Sequence, residues 1–569
     1  MGAGASRSIP DAACCKATVS KIAIESCDAG PPQPRLENEE EQGQLQPQES
    51  GVDPSELEVK VKLRERSSTA SLSALGRHVC RTHSEVDTEI ARGISLRRSL
   101  ANFGRVWRYD PKTWTLEERM SLYQLSKKVP KFQMFISHTW WTPGRWKVLS
   151  LSFQCGWHYV LICWFCAIIL SAVLCKAGVL PMPFKYQARI FGFNELCPMG
   201  FWVLATGFLA TVLSLASVSI LPHRCHGNDM SFIDVTSIHQ VDHMLMERGV
   251  YGIAGFLSIS SELRILWSSP YLSRLWCVFE LAAYKKVNPE GRITFRPLFI
   301  ERVVAVMMAS TYIFGMVFLI LRDLLGPGII MFTFSFAMWV VPYTVGIYLL
   351  RMNFREKHQL ISQLATFDLE NVNCAEQFDR EFIYSAIEKW YGSKRAFTHF
   401  VRHDLRRELE QRFFATRLPR RYLLLLLTPL FSVETEFFLA NWRGGAPFDC
   451  LLSFAVGVLI AYDIFFILAC SLLMVTLCDV LAPRRFGCLD HLQTLLVILV
   501  VVGLLGFGLQ VSSQAYQDSV AGAFIFLAIS VVFAALMWWL EGKSRCDRKL
   551  SDVDHKAHAL EVEEEESNP

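Results

Sequence analysis

A tryptophan and a glutamate one turn apart on a predicted helix are the residues whose types and spacing suggest chemistry. Trp276 and Glu280 follow the β-rich run ELRILWS, and Ser269 with Pro270 marks the start of the helix in which they lie. The apolar residues of this helix form one stripe, so Trp276 and Glu280 lie on the opposite side. A glutamate facing solvent needs no partner, but a tryptophan beside it is costly to leave in water. A cleft or interface over this side of the helix would explain both residues.

Four β-rich runs should position this helix. KFQMFIS, SFIDV, ELRILWS and ITFRPLFI alternate with helical patterns in two stretches, 103–144 and 225–301. Such alternation predicts a parallel sheet with flanking helices. Ligands of open α/β sheets lie beyond the carboxyl ends of the strands. The residues predicted to bind a substrate are therefore Ser137, His138, Asp234, Trp267 and Trp276.

Three segments carry longer motifs, which are FISHTWW, then FIDVTSIHQ, then ILWSSPYLSRLWCVFELAAY. Taken in this order, they resemble a TIR (Toll/interleukin-1 receptor) domain. The sequence is most similar to the divergent TIR-like modules of protists, which share Ser-His-x-Trp and Arg-Leu-Trp-Cys-Val-x-Glu-Leu. The resemblance covers roughly 131–300 without an apolar hairpin, which is under a quarter of the chain.

The resemblance implies one of two functions. TIR domains act as homotypic signalling adaptors, which would make a second TIR-type copy a partner, or they cleave the nicotinamide–ribosyl bond of NAD. Glu280 holds the position of the catalytic glutamate, so NAD is implied as a substrate, and no other cofactor is predicted. Nicotinamide leaves as a neutral base, so one carboxylate that stabilises an oxocarbenium-like transition state suffices. The alternative is that Glu280 only pairs with Arg274 or Lys285 on a solvated helix face.

Eight apolar runs are long enough to cross a bilayer core of about 30 Å. They lie near 157–180, 198–221, 303–321, 328–350, 422–440, 450–478, 492–511 and 521–540. The first two form a hairpin, 157–221, between the two α/β stretches, followed by a pair, 303–350, and a group of four, 422–540. The sequence therefore predicts an α-helical polytopic membrane protein with an inserted α/β, parallel-sheet TIR-like domain.

Charge determines the predicted orientation and the partners. The net charge of +3 is too small for nucleic-acid binding, whereas 51% hydrophobic residues and a mean hydropathy of +0.26 make the lipid bilayer a partner. Basic residues flank the runs on one side: Arg145, Lys147, Arg224, Arg302, Arg351, Arg355, Lys357, Arg420, Arg421, Arg484, Arg485, Lys543 and Arg545. This bias predicts that both termini are cytosolic. It does not identify the membrane.

The remaining segments carry little periodicity. Residues 1–101 include PPQPRLENEEEQGQLQPQES and are predicted to be a disordered arm, and 541–569 to be a charged disordered tail. The start, MGAGAS, fits the pattern for myristoylation at Gly2, and Cys14 and Cys15 could carry palmitate. Segment 352–417 is predicted to be a cytosolic helical layer, with no chemistry assigned.

One acidic residue lies inside an apolar run. Asp463, in VGVLIAYDIFFILAC, is expected to cost about 2.5–3.5 kcal/mol at the centre of a membrane helix. With Glu434 and Glu436 as neighbours, it suggests an ion channel or transporter. A protonated carboxyl, or one bonded to a helix neighbour, is the alternative.

Histidines offer a weak metal pattern. His239 and His243 are spaced to present two nitrogens to zinc, but His223, Cys225 and His226 lie on a predicted membrane-exit loop, so no metal site is predicted. The preferred interpretation is a membrane-embedded signalling or scaffold protein that presents its TIR-like domain at the cytosolic face. NAD glycohydrolase and channel or transporter activities are the alternatives.

Overall fold

The computed structural model describes residues 86–109, 113–220, 229–325, 329–374, 376–415, 418–483, 487 and 490–567. Gly2, Cys14 and Cys15, and with them most of the predicted arm, lie outside these residues. Both the lipidation sites and the disorder of 1–85 therefore remain predictions.

The strands are β1 (Arg92–Ser95), β2 (Lys127–Lys128), β3 (Met134–His138), β4 (Phe184–Gln187), β5 (Leu196–Met199), β6 (Met230–Phe232), β7 (Glu262–Trp267) and β8 (Arg292–Pro297). The helices up to the end of the sheet are α1 (Ala101–Arg108), α2 (Leu116–Leu125), α3 (Gly144–Lys176), α4 (Trp202–Ala216), α5 (Asp234–Ser237), α6 (His243–Tyr251), α7 (Ile253–Ser258) and α8 (Leu275–Val287). The later helices are α9 (Leu298–Leu325), α10 (Ile329–Ala365), α11 (Gln377–Tyr391), α12 (Lys394–Phe400), α13 (Arg406–Ala415), α14 (Arg420–Arg443), α15 (Phe448–Phe454), α16 (Ile467–Val480), α17 (Asp490–Asp518) and α18 (Val520–Ser567). A π-helical segment, Ala455–Phe466, joins α15 to α16.

The main sheet has the strand order β2-β1-β6-β3-β7-β8. The four strands from β6 to β8 are parallel and correspond to the four predicted runs. β1 pairs antiparallel with both β6 and β2, so the sheet is mixed rather than wholly parallel. In chain order the parallel strands run 2-1-3-4, which is the doubly wound arrangement of flavodoxin-like sheets.

β1 comes from the stretch that the sequence assigned to the disordered arm, so that boundary was wrong. Ile90, Ile94, Leu96 and Leu100 are all at most 5% exposed in the core of the domain. The strand is only four residues long, too short for a clear alternating pattern. It is stabilised by pairing with β6, where the partner of Ser95 is Met230, 135 residues later in the chain.

Six helical segments among the described residues are long and apolar enough to cross a membrane, and they identify a helical membrane protein: Gly144–Lys176, Leu298–Leu324, Arg420–Arg443, Phe448–Val480, Asp490–Asp518 and Val520–Lys543. They coincide with six of the eight predicted runs. The other two runs correspond to α4, which has 15 residues, and to the first part of α10. Their crossing of the membrane remains a prediction.

The connection from β3 to its neighbour β6 is a helical hairpin of α3 and α4, of which α3 is long and apolar enough to cross a membrane. α3 has 33 residues, about 50 Å at 1.5 Å per residue, whereas a bilayer core needs only about 20 residues. The extra turns at its start pack on the sheet, where Leu151 and Phe153 are buried in the domain core. The chain then passes through β4 and β5 and returns along α4 to β6. The predicted hairpin start at residue 157 therefore falls inside a helix that begins at Gly144.

The sheet and the membrane helices also join at β8, since α9 begins directly after Pro297. The Tyr422 hydroxyl at the start of α14 donates a hydrogen bond of 2.7 Å to Glu301 in the first turn of α9. We call this end of the membrane helices the domain side and the end next to β4 and β5 the hairpin side. At the hairpin side, Arg443 of α14 donates to the Lys176 carbonyl at 2.9 Å.

On the domain side, the buried Arg351 joins three helices, α10, α16 and α17. The Arg351 guanidinium of α10 donates to the carbonyls of Leu481 and Asp490 and to the Thr494 hydroxyl. The Leu481 carbonyl follows the end of α16, where carbonyls lack partners within the helix, and Asp490 and Thr494 lie in the first turns of α17. Arg351 therefore fixes α10 against the end of α16 and the start of α17.

The last helix is longer than predicted. α18 continues from its membrane part to Ser567, where the sequence predicted a disordered tail from residue 541. The segment HKAHALEVEEEE consists largely of good helix formers. Its charge was therefore a misleading signal of disorder.

We expect Gly144→Ala to destabilise the joint between the domain and the membrane helices. A Cβ atom at Gly144 would lie 1.9 Å from the Trp107 carbonyl oxygen, and backbone cannot move aside cheaply, so the free energy of unfolding should fall by about 1–3 kcal/mol. Thermal unfolding in detergent, followed by light scattering, measures this loss. Gly503→Ala on α17 is the matched control, since nothing lies within 4 Å of its added Cβ. Equal midpoints for the two variants would contradict a tight joint.

Candidate functional site

Three side chains at the carboxyl edge of the sheet form a buried hydrogen-bonded chain. The Ser137 hydroxyl, at the end of β3, donates to Glu280 Oε2 of α8 at 2.5 Å, and it also lies 2.6 Å from the Tyr271 hydroxyl. Because Ser137 has one hydroxyl proton and donates it to Glu280, the Tyr271 hydroxyl is the donor in its bond with Ser137. Burial raises the pKa of Tyr271 well above its usual value, which keeps this phenol protonated as a donor.

Ser137 and His138 do not belong to one cleft, because neighbouring strand residues face opposite sides of a sheet. Ser137 shares the side of Phe135, in the core that includes α8. His138 shares the side of Ile136, and its ring lies 5.3 Å from the Trp107 ring. The predicted substrate-binding set is thus divided by the sheet itself.

Asp234 falls on the His138 side. Its Oδ2 accepts a hydrogen bond of 3.0 Å from the Trp140 indole, whose ring lies 4.9 Å from the His138 ring. Its Oδ1 accepts from the backbone N–H of Val235 at 2.9 Å, at the start of α5. These contacts describe a structural carboxylate that orders the strand end.

The side of α8 that carries Trp276 and Glu280 is covered by another part of the chain. The Trp276 indole donates to Asp379 of α11 at 3.0 Å, and the Phe279 ring stacks on Trp390 at 5.5 Å. The Tyr391 hydroxyl donates to a carbonyl of α8, that of Ala282, at 3.1 Å. We call residues 367–409 the covering layer. The layer corresponds to most of segment 352–417.

Of the two explanations for this side of α8, a cleft or an interface, the structure shows an interface with the covering layer, and the alternative of a solvated glutamate was wrong. Glu280 is 0% exposed and Trp276 is 2% exposed. The two basic residues suggested as partners for Glu280 have other contacts: Arg274 stacks over Trp141 at 4.4 Å, and Lys285 pairs with Glu408 of the covering layer at 2.7 Å.

Trp267 completes the predicted set and is also buried. It ends β7 with 1% exposure, and its ring meets the Phe299 ring of α9 edge to face at 6.0 Å. The ring packs against the start of a membrane helix, so it contributes to the joint between domain and membrane helices.

The three intramembrane acidic residues have different environments. Glu436 Oε1 accepts the backbone N–H groups of Val203 and Leu204 at 2.6 and 3.3 Å, so it caps the start of α4 from a neighbouring helix. Glu434 lines a cavity of about 300 Å³ on the hairpin side, together with Tyr186 and Tyr516. Asp463 lies in the π-helical segment and is 0% exposed.

The histidine pattern gives no metal centre in the part of the chain that the structure describes, where no three His, Cys, Asp or Glu side chains come together to bind an ion. His239 Nδ1 instead accepts the backbone N–H groups of Val241 and Asp242 at 3.2 and 2.8 Å. His223, Cys225 and His226 lie outside the described residues.

The residues that sequence reasoning missed are Tyr271, which bonds to Ser137 beside Glu280, and the layer residues Asp379, Phe382 and Trp390, which contact Trp276 and Phe279 of α8. A usable signal was present in α8 itself. Between Leu275 and Tyr284 the helix is apolar except for Glu280, and all of these residues are buried. A helix that is hydrophobic on every side must be covered on every side.

Comparison with known proteins supplies no family. Searches against family models, curated proteins and solved structures find no match for this chain.

We expect Ser137→Ala to lower the free energy of unfolding by about 1–3 kcal/mol, because it removes a hydrogen bond to a buried carboxylate. Unfolding in detergent, followed by tryptophan fluorescence, measures the change. The control is Ser121→Ala on α2, whose exposed hydroxyl bonds only its own helix, and which should change stability by less than about 0.5 kcal/mol. If the two variants are equally stable, the Ser137–Glu280 contact contributes nothing to the fold.

Proposed function

We propose that this chain is a membrane-embedded signalling or scaffold protein that holds a TIR-like domain rigidly at the cytosolic membrane face. The observation that carries the proposal is the complete burial of Glu280 and its hydrogen bond to Ser137 of β3. A glutamate that is 0% exposed and bonded to Ser137 serves the fold, and a domain joined to its membrane helices at two strands serves as a fixed platform.

The TIR-like part of the proposal is supported by the order of the parallel strands and by where the motifs lie. FISH ends β3, FID runs from the last residue of β6 to the first residue of α5, and LWCVFEL opens α8. Homotypic contact with a second TIR-like copy is the interaction that the resemblance implies.

The cytosolic placement is supported by charge. Arg302, Arg351 and Lys357 lie on the domain side, near the starts of α9 and α14 and the end of α16, as the positive-inside rule expects for a cytosolic face. Counting α4 and α10 as returning spans gives eight crossings with both termini on this side. Short helices such as α4 can cross with help from neighbouring turns.

We expect the purified protein in detergent to consume no more NAD than its Glu280→Ala variant, because a buried carboxylate cannot reach a ribose. NAD loss and nicotinamide release, followed by chromatography, measure this. Glu290→Ala, which removes an exposed carboxylate after α8, is the control for a general effect of lost charge. NAD turnover that persists in Glu290→Ala and disappears in Glu280→Ala would establish the glycohydrolase alternative instead.

The same protein, extracted in native nanodiscs, tests the scaffold half of the proposal. Single-molecule photobleaching of a fluorescent fusion should count more than one copy per disc. Discs that hold one copy at all expression levels would contradict a homotypic scaffold.

Transport is a second candidate, favoured by Asp463. In the described part of the chain neither of its carboxylate oxygens has a hydrogen-bond partner, although a charge at this depth costs about 2.5–3.5 kcal/mol. π-helical segments inside membrane helices are frequent at functional sites. Glu434, on a cavity of about 300 Å³ at the hairpin side, provides a second carboxylate nearer the surface.

For this candidate we expect Asp463→Asn to abolish proton or monovalent cation flux into proteoliposomes, because the amide cannot carry the charge. Asp449→Asn, which changes an exposed carboxylate at the start of α15, should leave the flux intact. A wild-type flux that survives in Asp463→Asn would remove the carboxylate from the pathway, and the absence of any wild-type flux would remove the candidate.

A further inference from the structure

A groove of about 290 Å³ lies where the α/β domain meets the membrane hairpin. Most of its wall is apolar and comes from α3 and the end of α4: Val148, Leu149, Leu215, Ala216 and Val218. The turn after α4 is held in place by the buried Arg97, which donates to the Val218 carbonyl from Nε at 3.1 Å and from Nη2 at 2.5 Å. The groove is therefore a fixed feature of the joint.

Two arginines line the same groove. Arg108 and Arg145 are exposed, and within the described residues neither forms an ion pair with a carboxylate. Each stacks on the ring that follows it in the chain, Tyr109 at 5.6 Å and Trp146 at 5.0 Å. None of the described lining residues is acidic. As far as the described residues show, the groove combines an apolar wall with two arginines that have no carboxylate partner, which suits an apolar molecule with an anionic head.

Exposed apolar residues lie close to the groove along the chain. On α4 and the turn after it, Leu213 and Ile220 are 53% and 84% exposed, as expected for contact with lipid tails. Ser152 of α3 lines the groove, and Arg145 lies seven residues before it, about 10 Å along the helix. This spacing suits an anionic head at Arg145 and an acyl chain along the apolar wall.

A strained turn borders the groove. Asn102 and Phe103 have φ angles of 53° and 54°, a left-handed conformation that non-glycine residues rarely adopt. Phe103 lines the groove and is 70% exposed. Strain of this kind is concentrated at ligand sites, and an aromatic ring held outward beside the groove is suited to the membrane interface.

We propose that the groove binds one anionic phospholipid from the leaflet on the domain side. Arg108 and Arg145 hold the phosphate, and one acyl chain lies along Leu149, Leu215 and Val218. Because the groove is shared by α1 and the membrane hairpin, a bound lipid ties the α/β domain to its own membrane helices. The assignment depends on the groove and not on the TIR-like resemblance, so it stands or falls separately from the proposed function.

Native mass spectrometry of the full chain tests this site. The protein is released from nanodiscs of phosphatidylcholine mixed with phosphatidylinositol phosphate, and retained lipids are identified by mass. The wild type should keep one phosphatidylinositol phosphate molecule in preference to phosphatidylcholine. The double variant Arg108→Gln/Arg145→Gln should retain it about thirtyfold more weakly, since each arginine near a membrane surface contributes about a factor of five to anionic lipid binding.

Two variants separate this site from general attraction to charge. Arg395→Gln/Arg407→Gln removes two exposed arginines of the covering layer and should retain the lipid like the wild type. Ala216→Phe fills the apolar wall while keeping both groove arginines, and should release the lipid. Soluble inositol phosphate, which lacks acyl chains, should compete only at much higher concentration.

The proposal is overturned if the wild type shows no preference for the anionic lipid, or if the covering-layer variant loses the lipid as readily as the groove variant. Displacement by soluble inositol phosphate at concentrations equal to the lipid would also overturn it, because the apolar wall would then contribute nothing.

Discussion

The rest of the structure depends on the connection between β3 and β6. Neighbouring parallel strands need a crossover, which in soluble α/β proteins is a helix packed on the sheet. Here the first turns of α3 pack on the sheet and the remainder enters the membrane, so one helix belongs to both parts. A shift of α3 in the bilayer must therefore move β3 or break its packing. The close approach of Gly144 to the Trp107 backbone leaves little room for such movement.

The same rigidity accounts for the fate of Glu280. After α10 the chain returns to the α/β domain, and the covering layer packs on α8. The contact between Trp276 and Asp379 and the ion pair between Lys285 and Glu408 fix that layer on the helix that carries Glu280, whose carboxylate is bonded to Ser137 and is 0% exposed. A residue with the chemistry of a catalyst is thereby enclosed, which is the physical basis for preferring a scaffold over an NAD glycohydrolase.

Acidic residues in the membrane helices show how strongly environment decides the role of a side chain. Glu434 and Glu436 are two residues apart on α14, yet Glu436 caps α4 while Glu434 faces a cavity. Each helix residue advances the side-chain direction by about 100°, so two residues apart correspond to about 200° and the two side chains face different neighbours. Asp463 belongs to neither arrangement, and its place in a π-helical segment makes it the residue on which transport depends in the second candidate function.

The sequence by itself determined the features that local patterns record. Long apolar runs identified a helical membrane protein, and four alternating runs identified the parallel strands, because burial in lipid or in a sheet leaves a periodic signature. It also placed Ser137 at the carboxyl edge of that sheet, whereas the contact of Ser137 with Glu280 appeared only in the structure. Even the separation of Ser137 from His138 was implicit in strand alternation. Only the tertiary structure decided that β1 completes the sheet, that Glu436 is a cap and that the covering layer packs on α8. Each of these depends on which distant segment packs against a surface, and that pairing leaves no periodic mark on either segment alone.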